Sequence, residues 1–119
     1  MRHENLYLAD MIEAADFVAE FISGTDFDGF ERSELIRSAV ALKLATIGEA
    51  ASRVSEDLRR SHPEVPWPQI VAFRNILIHG YFGIEWEIVW NAACYRCPEL
   101  RAQIAAILAL TDLNPGSDR

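Results

Sequence analysis

Residues 31–54, ERSELIRSAVALKLATIGEAASRV, decide the fold class. They carry two apolar ridges at helical spacing. Leu35, Ala39, Leu42 and Thr46 form one, and Ile36, Val40, Leu44, Ile47, Ala51 and Val54 form the other. A helix apolar over so wide an arc packs on more than one side. A bundle interior and a subunit interface are the two neighbours expected. Gly48 lies inside this stretch, where glycine costs about 1 kcal/mol relative to alanine. Close approach of another helix and access to a site are the two readings of it.

Working outward, residues 4–23 place Leu8, Met11, Ile12, Ala15, Val18 and Ile22 on one helical face, and Gly24 supplies a stop. Residues 25–30 read as a loop plugged by Phe27 and Phe30. Beyond the central stretch, Ser55 opens a short helical turn over 55–62, and Pro63, Pro66 and Pro68 interrupt the chain. Trp67-Pro68 is a good helix start, because proline is tolerated in a first turn. The helix it opens runs to residue 79 with Ile70, Phe73 and Leu77 on one stripe, widened by Val71 and Ile78. Gly80 and Gly83 bracket a turn. Helical spacing resumes over 84–94 with Trp86, Val89, Trp90 and Ala93, and Pro98 starts a last helix that turns Leu100, Ile104, Ile107 and Leu108 inward. The two tryptophans read as core or interface rather than as base-stacking platforms. No segment alternates with period two. The expected architecture is all-α, an up-and-down bundle of four main helices and one or two short ones. It forms one domain over residues 1–110, with a flexible tail over 111–119.

A chain of 119 residues, half of them apolar, can build one core without disulfide staples. No apolar run reaches the roughly 20 residues a membrane-spanning helix needs. The opening MRHENLYLADMIEAADF breaks its apolar residues with Glu4, Asp10, Glu13 and Asp16, unlike a secretory signal. A soluble, cytoplasmic protein is expected. The formal net charge of −7 argues against binding nucleic acid through a broad basic surface. Cys94 and Cys97 form one C-Y-R-C pair with no second pair to complete a zinc site, and they read as incidental reduced thiols.

Of the three histidines, His3 and His62 read as exposed bystanders, whereas His79 ends a helix that carries Arg74 and Asn75. Asn75 and His79 stand four apart and share a helix face. Arg74 lies about 140° round the axis from His79, within swing of a long stem. Tyr81 follows two residues later, across a glycine. Imidazole titrates near neutral pH, guanidinium matches phosphate oxygens, and RNA brings its own 2′-hydroxyl nucleophile. This set suits phosphodiester cleavage without a metal or other cofactor. On residue types alone it suits a helix-end cap with a dipole-favoured imidazolium better still, since such caps are common.

Arg74-Asn75 followed by His79 resembles the R-x4–6-H signature of the HEPN superfamily, and its extension to Tyr81 looks like the HepT branch. Gly24-Thr25-Asp26-Phe27-Asp28, Ile47-Gly48-Glu49-Ala50, Pro63-Glu64-Val65-Pro66-Trp67 and Tyr81-Phe82-Gly83-Ile84 also resemble words of that family, so the likeness covers roughly residues 4–110. Gly80 stands where many such proteins carry Asp, which removes one partner for His79.

The resemblance implies a HEPN-like homodimer whose motif helices meet at a shared, metal-independent ribonuclease site. Arg74 and His79 take its catalytic positions, and Asn75 supports them. It further implies the toxin of a type VII-like toxin–antitoxin pair. Its partner is an MntA-like minimal nucleotidyltransferase that silences it by transferring AMP to Tyr81. Two copies of Arg74 near one axis would focus positive charge on an acidic body. Glu49 has two readings, an orienting partner of Arg74 or His79 and an exposed helix glutamate. Other functional readings are a non-catalytic HEPN module or antitoxin that docks a nucleotidyltransferase, and a nucleotide-binding regulatory domain.

Overall fold

The computed structural model describes residues 2–113, and every regular element among them is helical. The four long helices are α1 (Arg2–Ile22), α3 (Glu34–Arg53), α5 (Trp67–His79) and α7 (Cys97–Leu113). Three short ones, α2 (Phe27–Arg32), α4 (Glu56–Ser61) and α6 (Trp86–Asn91), fill the connections, and Tyr81–Gly83 forms a 3-10 turn. The long helices stand in a row, with α7 against α1, α1 against α3, and α3 against α5. Glu4 meets Ser55 and Lys43 lies over Phe17, so α1 and α3 run antiparallel. Ser38 meets Tyr81 and Glu49 meets Arg74, so α3 and α5 do the same. None of these helices is long and apolar enough to cross a membrane.

Of the two ridges on α3, only one is interior. Val40, Leu44, Ile47, Ala51 and Val54 are buried, together with Leu8, Met11 and Val18 of α1 and Ile104 and Ile107 of α7. The other ridge stays uncovered, with Leu35 80% and Leu42 64% exposed. Ile76 and Ile78 of α5 and Phe82 of the turn are exposed as well. The least dimension of the molecule is 20 Å, about two helix diameters. Leu35 and Leu42, seven apart and so on one face of α3, are left uncovered among the described residues, whereas Ile76 and Ile78 point to different sides of α5.

Local chemistry sets the boundaries. Gly24 takes φ +75°, the left-handed stop expected after α1. The segment read as a loop over 25–30 is instead mostly helical. Asp26 caps α2 by accepting from the Gly29 N–H at 2.8 Å, and Gly29 sits inside the helix rather than breaking it. The plugs are where the loop reading put them: Phe30 is fully buried, with its ring 5.1 Å from Trp90 and 6.1 Å from Trp86. The stretch 31–54 is also not one helix. Ser33 ends α2 and caps α3 by accepting from the Ile36 N–H at 3.1 Å.

Pro98 does not begin a separate helix. A π-helical turn over Ala92–Arg96 joins α6 to α7 without a break, and the Cys97 N–H donates to the Ala92 carbonyl five residues back. A proline ring presses on the carbonyl four residues behind it and offers no N–H. Widening the preceding turn relieves that conflict and keeps the rod intact. At the far end α7 runs to Leu113, into the segment expected as a tail, and residues 114–119 lie outside the described residues.

Two contacts hold the row in register. Glu4, only 7% exposed, accepts from the Ser55 N–H at 3.0 Å and the Ser55 hydroxyl at 2.7 Å, while Ser55 caps α4. At Gly48 a Cβ would lie 2.2 Å from Arg74 Cβ, 2.9 Å from Arg74 Cγ and 3.2 Å from the Ile70 carbonyl oxygen. Alanine favours a helix by about 1 kcal/mol over glycine, yet here it forces two backbones apart. Gly48→Ala is expected to lower stability by about 1–3 kcal/mol despite that propensity gain. A stabilised variant in urea unfolding would show that the seam is loose. Glu4→Ala, which strands two Ser55 donors, is expected to cost about 1.5–3 kcal/mol by the same measurement, with Glu4→Gln intermediate.

Candidate active site

The site is built on the seam between α3 and α5. Trp67 and Pro68 start α5, the buried Trp67 ring donating its indole N–H to the His62 carbonyl at 3.0 Å. His62 itself, read as a bystander, is half-buried with Nδ1 3.3 Å from Glu64. Leu77 anchors the other end of α5 in the core. Between these anchors Arg74 faces α3, where the missing side chain of Gly48 admits its stem.

The guanidinium of Arg74 is then fixed on two sides. Its Nη2 donates to Glu49 Oε1 at 2.5 Å, and its Nη1 donates to Asn75 Oδ1 at 2.9 Å. Its Nε is buried without a hydrogen-bond partner. One N–H on each Nη is left unspent by these two bonds. Glu49 has a second arginine: Arg53, one turn on, donates to Oε2 from Nε at 3.2 Å and lies 3.1 Å away through Nη2. Glu49 thus pairs with both Arg74 and Arg53, while its side chain stays 41% exposed. Of the two readings of Gly48, the close approach of another helix is the one seen, and it seats Arg74.

His79 is the last residue of α5 and is exposed, and its imidazole makes no hydrogen bond among the described residues. It stands about 7.5 Å further along the axis than Arg74. Tyr81 turns away from that line. Its hydroxyl lies 3.2 Å from Ser38 Oγ, and its ring packs edge-on against Trp86 at 5.6 Å and Phe82 at 5.9 Å. Ser38 and Glu49 are eleven residues apart on α3, about 16 Å. One chain therefore brings Arg74, Asn75 and Glu49 together, but holds the Tyr81 hydroxyl at the opposite end of the seam. Convergence of all four motif side chains does not occur within it.

Sequence reasoning missed Ser38 and Arg53. Ser38 gave no local signal, being 43 residues from its partner. Arg53 did give one, since Glu and Arg four apart on a helix pair on one face. Trp86 and Trp90 are half-buried against Phe30 and serve as core. The two cysteines are free. Burial, with a smaller contribution from Asp16, pushes the Cys97 thiol up to about 11, so it is an inert proton-bearing group. Among the described residues no group of three or more His, Cys, Asp or Glu side chains is placed to hold a metal ion.

Comparison with known proteins gives the family. The family model described as ribonuclease HepT-like matches residues 11–107. A Methanocaldococcus jannaschii protein provisionally named an RNase is 36% identical over 106 residues, covering 89% of this chain and 97% of its own length. A second provisionally named RNase, from Caldanaerobacter subterraneus, is 32% identical over 91% of this chain and 96% of its own. A Thermococcus cleftensis protein named as a probable ribonuclease HepT is 34% identical over 82% of this chain and 88% of its own. No solved structure matches. The family model spans both sides of the α3–α5 seam, and the chain belongs to the HepT-like ribonuclease family.

Proposed function

We propose that this chain is a metal-independent endoribonuclease that acts in the cytoplasm as a homodimer. Its role is that of the toxin in a type VII-like toxin–antitoxin pair. The observation that carries the reading is the seated Arg74: an arginine held by Gly48, Glu49 and Asn75, with two N–H groups to spare and an exposed histidine on the same helix. In this reading the RNA 2′-hydroxyl attacks the adjacent phosphorus. His79 handles the proton, and the Arg74 fork stabilises the charge that gathers on the phosphate oxygens. Asn75 and Glu49 keep that fork aimed. The uncovered Leu35 and Leu42, on one face of α3, supply the surface for a second copy. Pairing there sets two Arg74 side chains against a chain of net charge −7, which localises attraction for RNA.

Tyr81 is the off switch. A minimal nucleotidyltransferase of the MntA kind transfers AMP to its hydroxyl, adding a negative phosphodiester and a bulky base two residues from His79. The half-buried ring, propped by Trp86 and Ser38, presents that hydroxyl in a defined position.

Purified protein incubated with RNA in EDTA is expected to release fragments ending in 2′,3′-cyclic phosphate. His79→Ala and Arg74→Ala should each lower the rate by about 10²–10⁴-fold. A metal requirement, or full activity of His79→Ala, would sink the mechanism. Expression of the chain alone should arrest growth, and Arg74→Ala should abolish the arrest. Co-expression with the neighbouring nucleotidyltransferase is expected to add the mass of AMP to the wild type and nothing to Tyr81→Phe. An unmodified wild type under that condition counts against the switch.

A further inference from the structure

We infer that Arg53 is an RNA-backbone binding residue of this site, holding a phosphate that flanks the one engaged by Arg74. The inference rests on the ribonuclease reading above and extends it to a residue outside the motif.

The electrostatics around Glu49 are unbalanced. Arg32, Arg60 and Arg101 each have a carboxylate to themselves, supplied by Asp28, Asp57 and Asp16. Arg53 and Arg74 instead share Glu49, one on each oxygen. Within this trio two guanidiniums share one carboxylate, an excess of one positive charge, in a chain that is acidic as a whole. An anion is what such a pair lacks, and a phosphate fits both guanidiniums.

The donor count agrees. Arg53 spends Nε and Nη2 on Glu49 and keeps Nη1 for another acceptor. Its side chain is 58% exposed, against 28% for Arg74. The less exposed arginine is thus the one fixed for the reacting phosphate, while its neighbour reaches toward solvent beside it. A single-stranded substrate carries a phosphate at every nucleotide, so a strand held at Arg74 offers a second one within reach of Arg53. Glu49 sets the spacing between the two guanidiniums by binding both.

The bland account of Arg53 is an i,i+4 surface pair with Glu49, and salt dependence separates the two. Binding of an uncleavable, 2′-deoxy-substituted oligonucleotide to wild type, Arg53→Gln and Arg53→Lys is measured by fluorescence anisotropy across a salt series. Circular dichroism checks that each variant is folded. Arg53→Gln is expected to weaken binding alike for all sequences. It should also flatten the plot of log affinity against log salt by about 0.7, the loss of one phosphate contact on a single strand. Arg53→Lys, which keeps the charge, should retain the wild-type slope. A folded Arg53→Gln protein with wild-type affinity and slope overturns the inference and leaves the ribonuclease reading standing. If the wild type itself neither binds this oligonucleotide nor cleaves RNA, both fall together.

Discussion

The backbone of α3 has no side chain at Gly48 because the Arg74 stem occupies that space. Much else follows from this one exclusion. It sets how close α5 can come to α3, and therefore how deep the guanidinium sits. At that depth Glu49 is within hydrogen-bond reach, and Glu49 in turn recruits Arg53. A methyl group would move α5 outward and break this chain of contacts at its first link. The glycine lowers the intrinsic helicity of α3, and what it permits is a rigid arginine rather than a mobile one. Fixed donors stabilise developing charge better than donors that must first be organised.

In the proposed function, the seam is where an acidic protein addresses an acidic polymer. A broad basic surface would bind nucleic acid everywhere, with strong salt dependence. This chain, with a net charge of −7, sets two guanidiniums around one carboxylate at the seam. Local placement substitutes for net charge.

Much of the fold was legible because it rests on periodicity and on punctuation. The buried ridge of α3, the left-handed stop at Gly24, the cap at Ser55 and the start at Trp67-Pro68 all come from local rules. Two of the misreadings share one cause, which is that a residue with a breaking habit was met by a local remedy. Gly29 is carried through α2 by the Asp26 cap, and Pro98 is carried through a continuous rod by a wider turn. The candidate site was legible only in part for a different reason. Arg74, Asn75 and His79 are close in sequence, so their spacing could be reasoned about. The Gly48 contact, the Glu49 pair and the Ser38 to Tyr81 bond join residues 25 to 43 positions apart, and no local pattern encodes which of two helix faces will meet.

The π turn between α6 and α7 has a consequence for how the family can vary. One extra residue in an α-helical ladder rotates everything beyond it by about 100°. Here that rotation is absorbed between Ala92 and Arg96, so Trp86 and Trp90 address α2 while Ile104 and Ile107 address the core. The rod behaves as two helices spliced out of phase. A lineage that lost one residue from this turn would have to re-choose which aromatic side chains meet Phe30. The splice is therefore a place where a single insertion or deletion is read as a change of neighbours, not of length.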